Sequence, residues 1–329
     1  MSTQPKTNGV VVERLAQTRA LMRRENIDAY LVPSADPHLS EYLPGYWQGR
    51  QWLSGFHGSV GTLIVTHDFA GVWADGRYWE QAEKELAGSG IELVKLQPGQ
   101  TGPLEWLADQ AKADSVVAVD GAVLAVASSR TLASKLYDRG ARLRTDLDLL
   151  TELWADRPGL PAKAIYEHLP PQATVDRAEK LARLRETMGE RGADWHFIAT
   201  LDDIAWLFNL RGADVSYNPV FIAFALIGPH SISLFVDSNK LDATVRSSLE
   251  RDGINLLEYT QIGAALRAVP RSARLLIDPA RVTCGLLDYL DSEVSLVEGL
   301  NPTTLFKSQK SEADTQHIRQ AMEQDGAAL

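Results

Sequence analysis

The strongest constraint in this sequence is that it says the same thing twice. Residues 13–32, "ERLAQTRALMRRENIDAYLV", align without gaps on residues 179–198, "EKLARLRETMGERGADWHFI". Glu13/Glu179, Leu15/Leu181, Ala16/Ala182, Arg19/Arg185, Met22/Met188 and Asp28/Asp194 coincide. Chance gives roughly one or two identities in such a window. The order of elements repeats as well. Each copy runs from an amphipathic helix into a short apolar strand, "AYLV" or "WHFIAT". A Trp-Leu pair ahead of a glycine follows, in "QWLSGFHG" and "AWLFNLRG", and then a strand hairpin broken by turn residues. Both hairpins close on an aspartate, Asp75 or Asp237, at an expected helix start.

Beyond the hairpins, "IELVKL" and "SVVAV" alternate with helical stretches around 103–113 and 128–139. "INLLEY", "ARLLID" and "VSLV" alternate with helices near 239–251 and 284–292. Alternation of this kind makes a mixed sheet covered by helices. The expected fold is therefore α/β, with two tandem, duplicated mixed-sheet modules flanked by helices. "DRPGLPAK" (156–163) reads as the linker, which gives modules at 1–158 and 159–303. The remainder, 304–329, reads as a connection and one amphipathic helix from Ser311. That helix is still running at the end of the chain, without a C-cap, so the sequence reads as the front part of a longer polypeptide.

With 329 residues, 45% hydrophobic and 23% charged, each half has enough material for a core of its own. The net charge of −10 argues against nucleic acid, whose phosphates need a basic face. No run approaches the ~18 apolar residues of a membrane helix, and no signal-peptide pattern opens the chain. A lone cysteine, Cys284, fits a reducing compartment. The expectation is a cytoplasmic protein with neither nucleic-acid nor membrane partners.

Motifs that carry chemistry are scarce. The seven histidines are scattered, and no metal-ligand spacing, Walker loop or dinucleotide fingerprint occurs, so no catalytic residue, metal site or cofactor is expected within 1–329. "FHGSVG" (56–61) approaches a nucleophile elbow around Ser59, but a strand follows the serine where the elbow requires a helix. His57 reads either as a turn residue or as a group at a cleft rim. Trp47, Trp52, Trp73 and Trp79 read as a core cluster, with an exposed, partner-facing Trp79 as the other reading. Asp202 or Asp203 is expected to cap a helix, and Asp36 to cap a short helix with Pro37 in its first position.

Two segments carry a resemblance. "SGFHGSVGT" (54–62) and the Asp75, Arg77, Tyr78, Gln81, Ala82 pattern of "DGRYWEQA" resemble signatures of creatinase/prolidase-type N-terminal domains. Two such modules in tandem are similar to the three-domain aminopeptidase P family of Xaa-Pro aminopeptidases. The resemblance implies that 304–329 ends in the first helix of a pita-bread catalytic domain lying beyond this chain. It implies a dinuclear centre there, with two divalent ions, manganese by the resemblance. The expected partners are a peptide with an Xaa-Pro N-terminus and, in the intact enzyme, a second copy of the chain. Arg77 is implied as a substrate-binding residue. From the residues alone, Asp75 capping a helix from Gly76 leaves Arg77 in the first turn, where the helix dipole disfavours a cation. Its guanidinium then meets either a peptide or an internal carboxylate. The competing reading is a stand-alone, non-catalytic docking or assembly module.

Overall fold

The computed structural model describes residues 6–328. The chain divides into two compact units, one of residues 1–160 with 283–288, the other of 161–282 with 289–329. The division at 160/161 falls inside the Pro- and Gly-containing stretch 156–163.

In the first unit the strands are β1 (Ala29–Pro33), β2 (Thr62–Thr66), β3 (Ala70–Asp75), β4 (Glu92–Leu96), β5 (Val116–Val119) and β6 (Arg142–Arg144). They form one sheet in the order β4-β3-β2-β1-β5-β6. The β1/β2 and β2/β3 pairs are antiparallel, and the β3/β4, β1/β5 and β5/β6 pairs are parallel. Its helices are α1 (Lys6–Arg24), α2 (Gly49–Ser54), α3 (Trp79–Leu86), α4 (Pro103–Gln110), α5 (Val126–Tyr137) and α6 (Leu149–Leu153).

The second unit opens with a two-stranded pair, β7 (Tyr166–Glu167) and β9 (Leu210–Arg211). Its main sheet contains β8 (Trp195–Ile198), β10 (Phe224–Ile227), β11 (Ile232–Phe235), β12 (Asn255–Leu257), β13 (Arg274–Ile277) and β14 (Ser295–Glu298). The order, β12-β11-β10-β8-β13-β14, repeats the first sheet strand for strand, and so do the pairing directions. The duplication is therefore a duplication of topology. Helices α7 (Arg177–Glu190), α8 (Leu201–Leu207), α9 (Ala243–Arg251), α10 (Ile262–Arg267), α12 (Pro302–Ser308) and α13 (Glu312–Ala328) belong here, while the short α11 (Cys284–Leu287) clusters with the first unit. Phe306 of α12 is buried in the second core, so that unit extends past residue 303.

The repeated residues recur because each does the same job twice. Leu15 and Met22, like Leu181 and Met188, are buried in their cores. Arg19 donates from Nε to the carbonyl of Thr66 beside the first hairpin turn (2.9 Å), and Arg185 reaches the carbonyls of Gly228 and Ser231 at the second. Asp28 accepts the N–H of Val116 at 2.7 Å and Asp194 that of Arg274 at 2.8 Å, each joining the first parallel strand to its neighbour. A further pair is not identical in sequence. Arg14 lies 4.2 Å from the Trp52 ring centroid and donates to the Trp52 carbonyl; Lys180 lies 4.1 Å from that of Trp206 and does likewise. Both clamps hold the first helix of the module against the short helix that follows the first strand. Ala16 and Ala182 are both exposed, and nothing in the structure explains their identity.

Three local expectations are corrected. Asp36 caps no helix. Its Oδ1 accepts the N–H groups of His38 (2.9 Å) and Ser40 (3.0 Å) in a loop, where Leu39 adopts a left-handed φ of 52° that a helix cannot contain. Neither Asp202 nor Asp203 caps α8, whose N-cap position is Thr200. Asp203 is buried instead and accepts from the hydroxyls of Thr200 (2.6 Å) and Thr304 (2.8 Å), while Asp202 pairs with Lys307. The four tryptophans make no common cluster. Only Trp73 is fully buried, packed on Trp106; Trp52 stacks on Trp154, and Trp47 meets Tyr46 edge-on.

Candidate functional site

The two signature segments fold into one structure at the end of β3. Loop 55–61 leaves α2 through Gly55, whose φ of +72° is cheap only for glycine. The loop is then tied to α3. Ser59 Oγ and Tyr78 Oη share a hydrogen bond of 2.6 Å, and the N–H of His57 donates to Glu85 Oε2 at 2.8 Å. The His57 ring places Nδ1 3.4 Å from Glu85 Oε1, which also accepts from Gln81 Nε2. Phe56 packs edge-on against Tyr78 underneath.

Arg50 holds this loop from inside, and no sequence pattern marked it. It is 4% exposed, yet its guanidinium has no carboxylate partner among the described residues. Nη1 donates to the Phe56 carbonyl (2.7 Å), Nη2 to that of Gly58, and Nε to Ser34 Oγ (2.8 Å). Ser34 in turn donates to the Gly61 carbonyl at 2.8 Å. A glycine-rich loop strips its carbonyls of regular partners, and the planar fork of Arg50 gathers them. Burial pushes the Arg50 guanidinium down to about 10, against the nearby Glu85 charge, and it stays cationic at neutral pH.

Arg77 stands at the surface of this structure, and its local geometry corrects the expected cap. The helix begins at Trp79, with Tyr78 in the N-cap position and no side-chain cap. Asp75 closes a turn first: Oδ1 accepts the backbone N–H of Arg77 at 3.0 Å. The Arg77 side chain folds back on the same carboxylate, with Nε to Oδ1 at 3.0 Å and Nη2 to Oδ2 at 2.9 Å. These bonds hold the Asp75 carboxyl below its ordinary range and push the Arg77 guanidinium further up. The Arg77 side chain remains 66% exposed. Trp79 is half-buried, with its indole N–H donating to the Ala74 carbonyl at 2.9 Å and Lys95 over its ring. That bond pins α3 to β3. His57 is exposed and tied to Glu85, so the structure joins both signature loops while leaving the His57 and Arg77 side chains facing solvent.

The second module repeats the turn without the charge. Asp237 Oδ1 accepts the backbone N–H of Asn239 at 2.9 Å and also its side-chain Nδ2 at 2.9 Å. Asn239 thus occupies the place of Arg77.

A separate acidic pair sits where β1 and β5 end, the place at which parallel strands favour ligands. Asp120 and Asp148 flank a cavity of about 20 Å³ with Tyr30 and Arg157. Burial, and then the charge of Asp148, push the Asp120 carboxyl up to about 6. A carboxyl raised on folding favours the fold below about pH 4 and loses that contribution as the pH rises through about 6. Asp120→Asn keeps an acceptor for the Ala122 N–H that Asp120 now caps at 2.8 Å. We expect it to stabilise the first unit by about 2 kcal/mol near pH 7.5 and by almost nothing near pH 4. Urea melts at the two pH values check this; an equal effect at both removes the acidic pair as the cause.

Among the described residues no three His, Cys, Asp or Glu side chains converge to hold a metal, and no helix is long and apolar enough to cross a membrane.

With this geometry in view, profiles of the creatinase/prolidase N-terminal domain match residues 14–151 and 156–314. The chain belongs to the creatinase/prolidase N-terminal domain family, in two tandem copies. Its relatives include proteins named "Probable Xaa-Pro aminopeptidase P" from Talaromyces marneffei, 35% identical over 96% of this chain, and from Aspergillus niger, also 35% identical over 96%. The alignments cover 50% and 53% of those proteins, so the chain spans about half the length of the curated relatives it matches. A solved structure, the X-prolyl aminopeptidase of Caenorhabditis elegans, superposes with a TM-score of 0.88 at 26% identity, over 94% of this chain and 53% of that one. That protein is described as a cytosolic enzyme with a di-nuclear active site.

Proposed function

We propose that this creatinase/prolidase tandem is the N-terminal, non-catalytic portion of a cytoplasmic Xaa-Pro aminopeptidase, a hydrolase that releases the first residue of peptides with proline in second position. In this reading the modules shape the substrate cleft, and Arg77 is presented to the peptide. The observation that carries it is the comparison of Arg77 with Asn239. Both donate to the turn aspartate through backbone and side chain, and Asn239 does so uncharged. The turn does not need a guanidinium, so its pairing with Asp75 does not by itself account for a cation at 77. A peptide carbonyl or carboxylate matches its fork. His57 and Trp79 stand on the same scaffold as lesser candidates for that contact.

No ligand set for the family's metals exists among the described residues, and no hydrolytic step is assigned to this chain. The two divalent ions, manganese by the resemblance, belong to the portion of the relatives outside these residues.

The test takes the 329-residue chain and the longer parent side by side, with manganese and an Xaa-Pro peptide. The parent is expected to release the N-terminal residue, and the chain alone to release none and to show no stoichiometric manganese binding in a calorimeter. Turnover by the chain alone sinks the non-catalytic reading. A folded parent that leaves the peptide intact sinks the peptidase reading.

A further inference from the structure

The second unit holds a pocket of about 500 Å³ lined by the 168–175 segment, α7, α8, β9, α12 and α13. Its walls carry Lys180, Arg183, Arg211, His168, His317 and the Trp206 ring. Lys180 is 6% exposed. Its Nζ donates to the Trp206 carbonyl (2.8 Å) and to Asn209 Oδ1 (2.5 Å), which leaves one of three ammonium donors open. Arg211 spends Nη1 on the carbonyls of Ala205 (2.9 Å) and Leu210 (2.8 Å); Nε and Nη2 make no hydrogen bond among the described residues. Arg183 donates to Gln309 and lies over the Phe306 ring. None of these three cations pairs with a carboxylate among the described residues.

The groups feel one another. Burial and then the charge of Arg211 push Lys180 down to about 8. Burial, Arg211, Lys180 and His317 all push His168 down. Asp314 on the wall opposes these effects only in part, since Lys180 still stands below the ordinary lysine range. Asp314 accepts from Thr174 Oγ1 (2.8 Å) and from the N–H and Oγ of Ser311 (2.9 and 2.8 Å), and Glu179 is exposed. At the rim, Lys307 is neutralised by Asp202 and Asp203, and Lys310 donates to the Lys307 carbonyl.

The duplication shows what was added. Arg14 makes the same tryptophan clamp in the first unit, so the clamp accounts for one cation at this position and no more. Counting from Trp52 and Trp206, Asn209 stands where the first module has Gly55, and Arg211 where it has His57. The second copy thus carries a second cation and a buried amide where the first has a glycine loop. Like charges collected around an open volume repel one another unless an anion joins them.

We propose that this pocket binds a small organic oxyanion, a carboxylate or a phosphate ester, whose charged head is received by Lys180 and Arg211 and whose apolar body lies against Trp206 and Phe306. The site is independent of the peptidase reading.

Titration calorimetry of the chain with phenyl phosphate and with benzoate, at ionic strength fixed with chloride, tests it. One saturable site is expected for at least one probe, with a Kd below about 1 mM. Preference for phenyl phosphate assigns a phosphate ester, and preference for benzoate a carboxylate. Lys180→Gln and Arg211→Gln should each weaken binding about 10- to 100-fold. An anion beside Lys180 raises its proton affinity, so near pH 8 binding takes up a proton and its heat depends on the buffer. Should Lys180→Gln fail to fold, the half-buried Arg211 carries the test. No saturable binding of either probe, binding indifferent to Arg211→Gln, or binding without proton uptake overturns the proposal.

Discussion

In the Xaa-Pro aminopeptidase proposed above, Arg77→Ala is expected to lower kcat/KM toward Xaa-Pro peptides by about 10- to 100-fold, the loss of one charge-assisted contact. Melting should barely move. The partners lost are Asp75, in an exposed pair whose contribution to stability is small, and the Tyr78 ring, 5.3 Å from the guanidinium. The backbone turn survives in the variant, because the N–H of residue 77 still reaches the Asp75 carboxylate, as that of Asn239 reaches Asp237. Arg77→Lys should recover little, since an ammonium cannot reproduce the two-pronged geometry. Arg77→Asn imports the second module's own solution and is expected to fold like the parent while turning over like the alanine variant. Steady-state kinetics and thermal melts on one preparation decide the matter. A variant that melts early but turns over normally while folded would falsify the substrate role.

The largest stability effect is expected at Arg50. Arg50→Met leaves the Phe56 and Gly58 carbonyls, and Ser34 Oγ, without their donor in a buried setting. Orphaned polar groups of this kind cost about 1–3 kcal/mol each, partly relieved if water enters. We expect a loss of about 3 kcal/mol and a fall in the melting temperature of the first unit of about 5–10 °C. Arg50→Lys keeps the charge and loses the fork, and should fall nearly as far. The His57 and Ser59 contacts to α3 depend on the same loop, so amide hydrogen exchange over 55–61 should speed up in both variants. A melt within about 1 °C of the parent would mean that the loop is held from elsewhere.

How much of this was legible in the sequence depended on whether a feature left a periodic or repeated trace. The central strands did: apolar runs such as "TLIVT" and "SVVAV" became β2 and β5, buried through their middles. The duplication did as well, because Leu15 and Met22 recur at fixed spacing in cores of the same topology. The edge strand β6 did not. "RLR" has three residues, two of them charged, and pairs only because β5 offers its free edge. Residues 284–292 read as a helix, but only Cys284–Leu287 is helical. At the candidate site, Arg77 was visible through its signature, whereas Arg50 and Glu85 were not. Their significance lies in carbonyls and N–H groups of a distant loop, and backbone polarity has no letter in the sequence. The helix start was misplaced for the same reason. An aspartate can close a two-residue turn as well as cap a helix, and here the chain used Asp75 for the turn.

The first unit is discontinuous along the chain, and synthesis order gives that fact a consequence. Residues 1–160 hold the whole first sheet, but α11 arrives with residues 283–288. Its first residue, Cys284, donates its N–H to the Leu124 carbonyl at 2.8 Å, and Thr283 forms a bridge with Ala125. Gly285 presses so near Gly121 that a methyl group on either would strike backbone atoms. At a translation rate of about 5–20 residues per second, roughly ten seconds separate the completion of the sheet from the arrival of this last piece. Through that interval the nascent first unit waits with the Gly121–Ala125 surface uncovered.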